Sequence, residues 1–83
     1  MNYTIDFSSQ AKRFLRGLGK KHRYRVLCKF DEIRKDPVRF LEHFEGGGYK
    51  ARIGAFRALI DVVKRTLKVR VVDKRGRIYT RYG

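Results

Sequence analysis

The sequence is poor in the residue types that build metal-binding and disulfide-bonded centres. Among its 83 residues there are one cysteine, two histidines, one proline, no tryptophan and 8 acidic residues. A lone cysteine cannot form an internal disulfide bond, and with two separated histidines it cannot supply the ligands of a zinc site. The few scattered carboxylates argue against metal-assisted hydrolysis. We therefore expect neither a metal nor a cofactor, and we expect Cys28 to be a small buried apolar residue.

Long hydrophobic segments are also missing. The longest apolar stretch, residues 56–63, is broken by polar residues and is far shorter than the ~20 residues that cross a membrane. The N-terminus alternates polar with apolar residues and has neither the basic start nor the apolar centre of a signal peptide. The sequence therefore predicts a protein that stays in the cytoplasm and does not enter a membrane.

Positive charge is what the sequence has in excess. Its 22 lysines and arginines give a formal net charge of +14, while 42% of the residues are hydrophobic. That hydrophobic content is too high for a disordered basic tail, so we expect a single folded domain over residues 1–83. A chain of this size builds one thin core, so an active site would be a surface groove. Because like charges repel, we expect a polyanion or an acidic partner to neutralise the excess.

The first half of the chain shows one strand pattern followed by two helix patterns. Apolar Tyr3, Ile5 and Phe7 alternate with polar residues, which predicts a short strand. A serine at position 8 or 9 can cap a first helix that ends near residues 17–19. A second helix is expected from about residue 20 to just before Pro37. The residues it should bury are Val26, Leu27, Phe30 and Ile33.

The second half of the chain changes from a helical to an extended pattern. Residues 40–44 could form one helical turn, and the glycines at 46–48 indicate a flexible loop. Segments rich in β-branched and aromatic residues then predict strands at 49–53, 56–63, 67–73 and 78–82, with turns near 64–66 and 75–77. The order β-α-α-β-β-β-β predicts an α+β sandwich in which a two-helix hairpin covers one face of a mainly antiparallel sheet.

Most of the charge falls in the part of the chain that is predicted to form the sheet. Residues 46–83 contain eleven basic and two acidic residues, a net charge of +9, whereas residues 1–45 have a net charge of +5. Strand alternation places Lys50 and Arg52 on one face of their strand, and it also places Lys68 and Arg70 on a common face. A cationic sheet face that carries aromatic residues favours RNA or single-stranded nucleic acid. The alternative is a basic face that is merely solvated.

The remaining candidate chemistry uses only lysine, arginine and tyrosine. The glycines at 46–48 lack the Gly-Lys-Ser/Thr of a phosphate-binding loop. His22 and His43 lie in the helical half, so we assign them surface or interhelical roles. RNA can be cut without metal or histidine, because its own 2′-OH can attack the adjacent phosphate while cations stabilise the transition state. Lysine would be the better proton acceptor, since arginine stays protonated.

Two segments of the second half resemble the signature of the RelE/ParE superfamily of toxins, in particular its RelE branch. They are residues 49–57 (YKARIGAFR) and 71–79 (VVDKRGRIY). Together they contain a basic pair on one strand, a Gly-x-aromatic-Arg turn, and an arginine four residues before a tyrosine. The length and the element order agree as well, so the resemblance covers nearly the whole chain and implies the RelE-like fold.

The resemblance implies the toxin of a type II toxin–antitoxin pair, held inactive by a RelB-like antitoxin. It further implies a metal-independent, ribosome-dependent endoribonuclease, or mRNA interferase. Such an enzyme binds the 30S A site and rRNA and cuts mRNA by 2′-OH attack, leaving 2′,3′-cyclic phosphate and 5′-OH ends. The residues that match the catalytic set are Lys50, Arg52, Arg57, Arg75 and Tyr79. The residues expected to bind RNA are Lys50, Arg52, Arg57, Lys68, Arg70, Lys74, Arg75, Arg77, Tyr79 and Arg81.

The matched residues carry different expected roles. We assign Lys50 as the base, Arg57 and Arg75 as transition-state clamps, and Tyr79 as a stacking platform that can also contact a proton. Arg52 stands where some relatives have lysine. Because the chain ends soon after the last predicted strand, we expect it to lack the C-terminal helix that some relatives carry.

Two other functions are compatible with the same sequence. A ParE-like toxin would share the fold but inhibit DNA gyrase without cutting RNA. A non-catalytic RNA-binding or ribosome-binding module would use the basic face only to neutralise phosphates. The cluster of basic residues and Tyr79 favours the RNA branch.

Overall fold

Residues 2–82, which the computed structural model describes, form five strands and four helices. In chain order these are β1 (Thr4–Phe7), α1 (Ser9–Gly17), α2 (Lys20–Lys35), α3 (Pro37–Phe40), β2 (Leu41–His43), β3 (Tyr49–Ile53), β4 (Phe56–Val63), β5 (Thr66–Lys74) and α4 (Arg75–Arg81). The predicted first strand, first two helices and strands at 49–53, 56–63 and 67–73 agree with these elements. The exceptions are α3, β2 and α4.

The five strands form one sheet in the order β1-β5-β4-β3-β2. β1 pairs with β5 in parallel, and the other three pairings are antiparallel. The predicted α+β class with a mainly antiparallel sheet is therefore confirmed. No helix within residues 2–82 is long and apolar enough to cross a membrane.

Local sequence signals explain where the first helices begin and end. The Ser8 side chain accepts a hydrogen bond from the backbone N–H of Ala11 at 3.1 Å and caps α1. Helix α2 ends at Lys35, and Pro37 opens the short α3, at a helical position where the missing N–H of proline costs nothing. These signals mark the start of α1 and the end of α2.

Helices α1 and α2 lie on one face of the sheet and enclose the main hydrophobic core. Its buried residues are Ala11, Leu15, Val26, Phe30, Ile33, Ala51, Ile53, Ala58, Ile60, Leu67, Val69 and Val72. On α2 the prediction is wrong for Leu27, which is 43% exposed, and for Cys28, which is exposed. Successive helical residues are rotated by about 100°, so the stripe of core residues turns both of these side chains toward solvent.

The other face of the sheet carries α4, which replaces the strand predicted at 78–82 and the turn predicted at 75–77. It also shows that the expectation of no C-terminal helix is wrong. Ile78 and Tyr82 are four residues apart, so a helix presents both to the sheet. The same segment is rich in β-branched and aromatic residues, which favours a strand, and residues 78 and 82 would also share one face of a strand. The buried residues of this smaller second core are Phe44, Leu59, Val71 and Ile78, with Tyr82 packed against them.

The segment between α3 and β3 is more ordered than the sequence indicates. Only Pro37–Phe40 is helical, and Leu41–His43 form the edge strand β2. The helical turn expected at 40–44 is therefore wrong for every residue after Phe40. The following glycines form a hydrogen-bonded turn, in which the N–H of Phe44 donates to the carbonyl of Gly48 at 3.0 Å. Gly47 and Gly48 both have positive φ, at 107° and 72°, which glycine adopts without strain.

Candidate active site

All five residues predicted to be catalytic line one cavity on the face of the sheet that carries α4. The cavity has a volume of about 400 Å³. It is lined by Glu42, Lys50, Arg52, Arg57, Arg75 and Tyr79. We call it the cleft. Strands β2, β3 and β4 and helix α4 each contribute to it, so the fold brings together side chains that lie far apart in the sequence.

Strand β3 supplies Lys50 and Arg52 through simple alternation. Ala51 and Ile53 are buried in the main core on the α1 and α2 side. Lys50 and Arg52, which alternate with these two residues along the strand, must then point to the opposite face, where the cleft lies. This confirms the predicted placement of Lys50 and Arg52 on a common face.

Arg57 is held in place by the turn that joins β3 to β4. Gly54 in this turn has a φ of +60°, a conformation that favours glycine. The Nη1 atom of Arg57 donates to the carbonyl oxygens of Gly54, at 2.9 Å, and Phe56, at 2.7 Å. The Arg57 side chain is only 6% exposed. Its guanidinium is therefore a fixed cation whose remaining N–H groups are available to the cleft.

Helix α4 supplies Arg75 and Tyr79. Their spacing of four residues places them on one face of the helix, and the guanidinium carbon of Arg75 lies 5.8 Å from the centre of the Tyr79 ring. The backbone N–H of Arg75 donates to the carbonyl of Ala55 at 3.2 Å, which ties the start of α4 to the β3–β4 turn. The sequence pattern predicts a turn at Arg75 and a strand at Tyr79. In the structure both residues lie on one helix, from which they reach the cleft.

Lys50 and Tyr79 interact directly across the cleft. The Nζ atom of Lys50 donates a hydrogen bond to the Tyr79 hydroxyl oxygen at 2.8 Å and lies 5.0 Å from the ring centre. This hydrogen bond is the main cause that lowers the pKa of Tyr79 below 10.0, and the charges of Lys50 and then Arg57 lower that pKa further. The phenolate form of Tyr79 is therefore stabilised by its neighbours.

Glu42 is a residue of the cleft that the sequence interpretation missed. It lies on β2 directly opposite Lys50 of β3, and its carboxylate is 3.7 Å from the Lys50 Nζ atom. The pairing depends on residues 41–43 forming a strand, whereas the pattern at 40–44 indicates a helical turn. No local signal in the sequence places this carboxylate beside Lys50.

Half of the residues predicted to bind RNA lie outside the lining of the cleft. They are Lys68, Arg70, Lys74, Arg77 and Arg81. Arg70 is engaged elsewhere, since its Nε atom is 2.9 Å from a carboxylate oxygen of Asp61 and its Nη2 atom donates to the carbonyl of Gly47. Arg77 and Arg81 are exposed on α4. A role in RNA binding stays a prediction for all of them.

The cleft residues suit the handling of a phosphodiester. Lysine and the three arginines offer N–H donors and positive charge for phosphate oxygens, and arginine can contact two of those oxygens at once. The hydroxyl of Tyr79 can exchange a proton. His22 and His43 are exposed and lie outside the cleft lining, in keeping with the surface roles assigned to them.

Comparison with known proteins identifies the family. No protein-family model and no curated protein matches the chain. Among solved structures, a chain of the archaeal RelE–RelB complex from Pyrococcus horikoshii is 30% identical. That match covers 93% of this chain and 99% of the archaeal chain, with a TM-score of 0.76. The chain belongs to the RelE toxin family. The resemblance noted in the sequence is therefore confirmed.

Two other RelE structures extend the match. A chain of the toxin–antitoxin complex RelBE2 from Mycobacterium tuberculosis is 26% identical over 90% of this chain and 100% of that one, with a TM-score of 0.77. A chain of the E. coli RelBE toxin–antitoxin complex is 24% identical over 87% of this chain and 95% of that one, with a TM-score of 0.72. The E. coli match shows a shared fold, and the predicted RelE-like fold is confirmed.

Proposed function

We propose that this RelE family member is the toxin of a type II toxin–antitoxin pair and cuts mRNA in the ribosomal A site. The observation that carries the proposal is the cleft, in which Lys50, Arg52, Arg57, Arg75 and Tyr79 meet around one cavity. Membership of the RelE family supports the role of toxin. The chemistry of the cleft supports RNA cleavage, because it combines clamps for a phosphate with a tyrosine whose phenolate form can take up a proton.

We assign Tyr79 as the proton acceptor of the reaction. The 2′-oxygen of the nucleotide before the cut attacks the phosphorus, and its proton passes to the phenolate of Tyr79. A bond forms between the 2′-oxygen and phosphorus, and the bond between phosphorus and the 5′-oxygen breaks. The departing 5′-oxygen takes up a proton from solvent, so the products are a 2′,3′-cyclic phosphate and a 5′-OH. Lys50, which the sequence interpretation assigns as the base, stabilises the Tyr79 phenolate by donating a hydrogen bond.

The arginines are assigned to the charge that develops on the phosphate. Arg57 is pre-positioned by its hydrogen bonds to two carbonyls. Its side chain therefore loses little conformational entropy when it binds the transition state. Arg75 approaches from α4, on the same side as Tyr79. Arg52 completes the set as a phosphate clamp, because an arginine cannot readily give up its proton.

The partners that fit this function are an antitoxin, the ribosome and mRNA, all in the cytoplasm. The similar chains from P. horikoshii and M. tuberculosis belong to RelE–RelB and RelBE2 complexes, which supports a RelB-like antitoxin here. A net charge of +14 favours an acidic partner. We expect such an antitoxin to place carboxylates near Lys50, Arg57 and Arg75 and so keep RNA out of the cleft.

The experiment that tests this proposal is cleavage of mRNA on translating ribosomes. We expect the purified protein to cut within A-site codons, and a double variant, Arg57→Ala with Arg75→Ala, to lose nearly all cutting. Circular dichroism of the double variant checks that it is folded, and Arg75→Ala alone covers the case in which loss of buried Arg57 prevents folding. Unchanged cutting by both variants would contradict the assigned site.

The same experiment separates the two alternative functions. A gyrase inhibitor of the ParE kind would arrest growth and cause DNA breaks to accumulate while mRNA stays intact. A non-catalytic RNA-binding module would bind ribosomes or RNA in a salt-dependent manner but release no product with a cyclic phosphate. Either result would overturn the proposed ribonuclease.

A further inference from the structure

A second cavity lies beside the cleft and shares a wall with it. It has a volume of about 410 Å³ and is lined by His43, Phe44, Glu45, Lys50 and Tyr79. We call it the side pocket. Lys50 and Tyr79 also line the cleft, so the hydrogen bond between their side chains marks the boundary between the two cavities. A substrate that lies across these two side chains therefore enters both cavities.

The side pocket differs from the cleft in its chemistry. Three arginines line the cleft, whereas none of the residues within 2–82 that line the side pocket is an arginine and only Lys50 is a lysine. The side pocket instead contains an acidic residue, Glu45. Cations hold phosphate oxygens, and a carboxylate repels them. The side pocket therefore suits an uncharged part of the substrate rather than a second phosphate.

Glu45 is the residue of the side pocket whose side chain is best able to bind a ligand. The His43 ring packs against the Tyr49 ring, with 5.0 Å between their centres. Phe44 is 8% exposed and belongs to the small second core. Glu45 is exposed, and the ion pairs found within residues 2–82 involve other carboxylates. Its carboxylate is therefore an acceptor without an ion-pair partner in the described part of the chain.

The backbone that carries Glu45 is held closely against α4. The N–H of Gly47 donates to the carbonyl of Phe44 at 2.9 Å and closes the turn. A Cβ atom at Gly46 would lie only 2.6 Å from the carbonyl oxygen of Tyr82, so only glycine fits where the turn meets the end of α4. A fixed backbone limits the positions that the Glu45 carboxylate can reach, which favours selective binding.

The assigned reaction places one particular nucleotide next to the side pocket. Tyr79 accepts the proton of the 2′-OH, so the ribose before the cut must lie at the Tyr79 hydroxyl. The base of that nucleotide is bonded to C1′, the neighbour of C2′, and therefore lies close to Tyr79 as well. With the phosphate in the cleft, the side pocket is the adjoining space for this base. Its volume falls within the roughly 300–1,000 Å³ of small-molecule sites.

We propose that the side pocket binds the base before the cut and that Glu45 selects bases with an exocyclic amino group, an inference that rests on the proposed function. Carboxylates accept hydrogen bonds from such groups, as from N4 of cytosine. Adenine, cytosine and guanine each carry one. Uracil presents its single N–H between two carbonyl oxygens, which a carboxylate repels. Uracil is therefore the base that the side pocket disfavours.

The first test maps cutting on translating ribosomes with messages that differ only in the base before the cut. We expect the wild type to cut after adenine, cytosine or guanine about fivefold faster than after uracil, and Glu45→Ala to lose this preference. Glu32→Ala removes the same charge from an exposed position on α2 and is the control. The positive φ values of the turn belong to Gly47 and Gly48, so alanine fits at position 45.

The preference is a ratio between messages, so a uniform gain in RNA binding from the lost negative charge cancels.

The second test measures binding without cleavage and without the ribosome. Four dinucleotides that differ in the first base, each with a 2′-deoxy first nucleotide, are titrated into the isolated protein. The NMR shifts of the Glu45 and Tyr79 amides give the dissociation constants. We expect the dinucleotide with uracil to bind about fivefold more weakly than the other three. Glu32→Ala should keep this difference and Glu45→Ala should abolish it.

The outcomes separate the side pocket from the proposed function. Cutting with no base preference, or with one that Glu45→Ala leaves unchanged, would overturn the side pocket while the ribonuclease stands. Equal loss of preference in both variants would also overturn it, since only net charge would then matter. Dinucleotides that bind without preference would assign any preference in cutting to the ribosome. A wild type that cuts no mRNA but shows a Glu45-dependent dinucleotide preference would contradict the proposed function and leave the side pocket intact.

Discussion

The two faces of the sheet are built in different ways. On one face, α1 and α2 cover a continuous core of small and large apolar residues, and its central side chains, such as Phe30 and Ile33, are almost fully buried. On the other face, α4 covers only part of the sheet with a small core that includes Ile78. The cleft lies on this second face, beside α4. Stability therefore comes mainly from the first face, and the candidate chemistry lies on the second.

The difference makes the cleft dependent on a short helix. Helix α4 has seven residues and provides two of the cleft residues, Arg75 and Tyr79. Isolated helices of this length are not stable in water, so α4 must be held by its contacts with the sheet. Its attachments include buried Ile78 and the hydrogen bond from Arg75 to Ala55. Losing these contacts would dismantle the cleft while leaving the main core intact.

The largest expected effect is on the first face. Phe30→Ala removes an aromatic ring that is 1% exposed and meets the Phe7 ring edge to face at 5.1 Å. We expect the free energy of unfolding to fall by about 3–5 kcal/mol, as for other buried phenylalanines. Leu27→Ala, on the exposed side of the same helix, is the control and should change it by less than about 0.5 kcal/mol. Denaturant unfolding measures the free energy of unfolding of both variants. Similar losses would show that Phe30 does not face the core more than Leu27 does.

The second expected effect is catalytic and leaves stability unchanged. Arg75→Ala removes an exposed cation of the cleft, so we expect mRNA cleavage to fall about 100-fold or more while the unfolding midpoint stays the same. Arg77→Ala, two residues along α4 and outside the cleft lining, is the matched control. Cleavage kinetics on ribosomes compare the two. Equal effects of the two substitutions would show that α4 contributes only general positive charge.

The third effect tests whether α4 can detach from the sheet. Ile78→Ala removes a fully buried side chain of the small second core. We expect a loss of about 2 kcal/mol, at the low end for such a change, because the helix can come away without opening the main core. Hydrogen exchange of the α4 amides should accelerate and cleavage should fall, although Ile78 does not line the cleft. Thr80→Ala is the control on the exposed side of the helix. Faster exchange throughout the sheet would refute a separate α4 unit.

The smallest effect concerns the acidity of Tyr79. Lys50→Met removes the hydrogen bond that stabilises the phenolate, so the pKa of Tyr79 should rise back toward 10.0. In the wild type, cleavage should increase with pH up to the lowered pKa of Tyr79, because the phenolate accepts the proton. Carbon-13 NMR titration of labelled tyrosines measures the shift, with Tyr79→Phe assigning the resonance. Lys68→Met is the control, and a Tyr79 pKa that does not move would show that the Lys50 contact is absent in solution.

The sequence predicts the first face of the sheet better than the second. Period-two and helical patterns define the first strand, α1 and α2, because these elements bury one continuous side. The predicted burial of Leu27 is wrong because a run of apolar residues at 26–28 does not show which of them faces the core. The helix α4 is missed because Ile78 and Tyr82 fit both periods, and the packing of both residues against Leu59 and Val71 decides between them.

More of the candidate site than of the secondary structure around it could be predicted from the sequence. Strand alternation predicts that Lys50 and Arg52 share a face. The family resemblance places these two residues, together with Arg57, Arg75 and Tyr79, in the site, even though the secondary structure predicted for Arg75 and Tyr79 was wrong. Glu42 could not be predicted, because its position depends on the pairing of β2 with β3 rather than on any local pattern.

The measurement that tests the central claim most directly is cleavage of a ribosome-bound mRNA that carries a single 2′-deoxynucleotide immediately before the cut. If the cleft only orients the RNA and accepts a proton at Tyr79, the nucleophile must be the 2′-OH. We then expect no cutting at the substituted bond, and we expect a 2′,3′-cyclic phosphate and a 5′-OH on the products of the unmodified message. Continued cutting of the deoxy-substituted message, or products with a 5′-phosphate, would contradict the account.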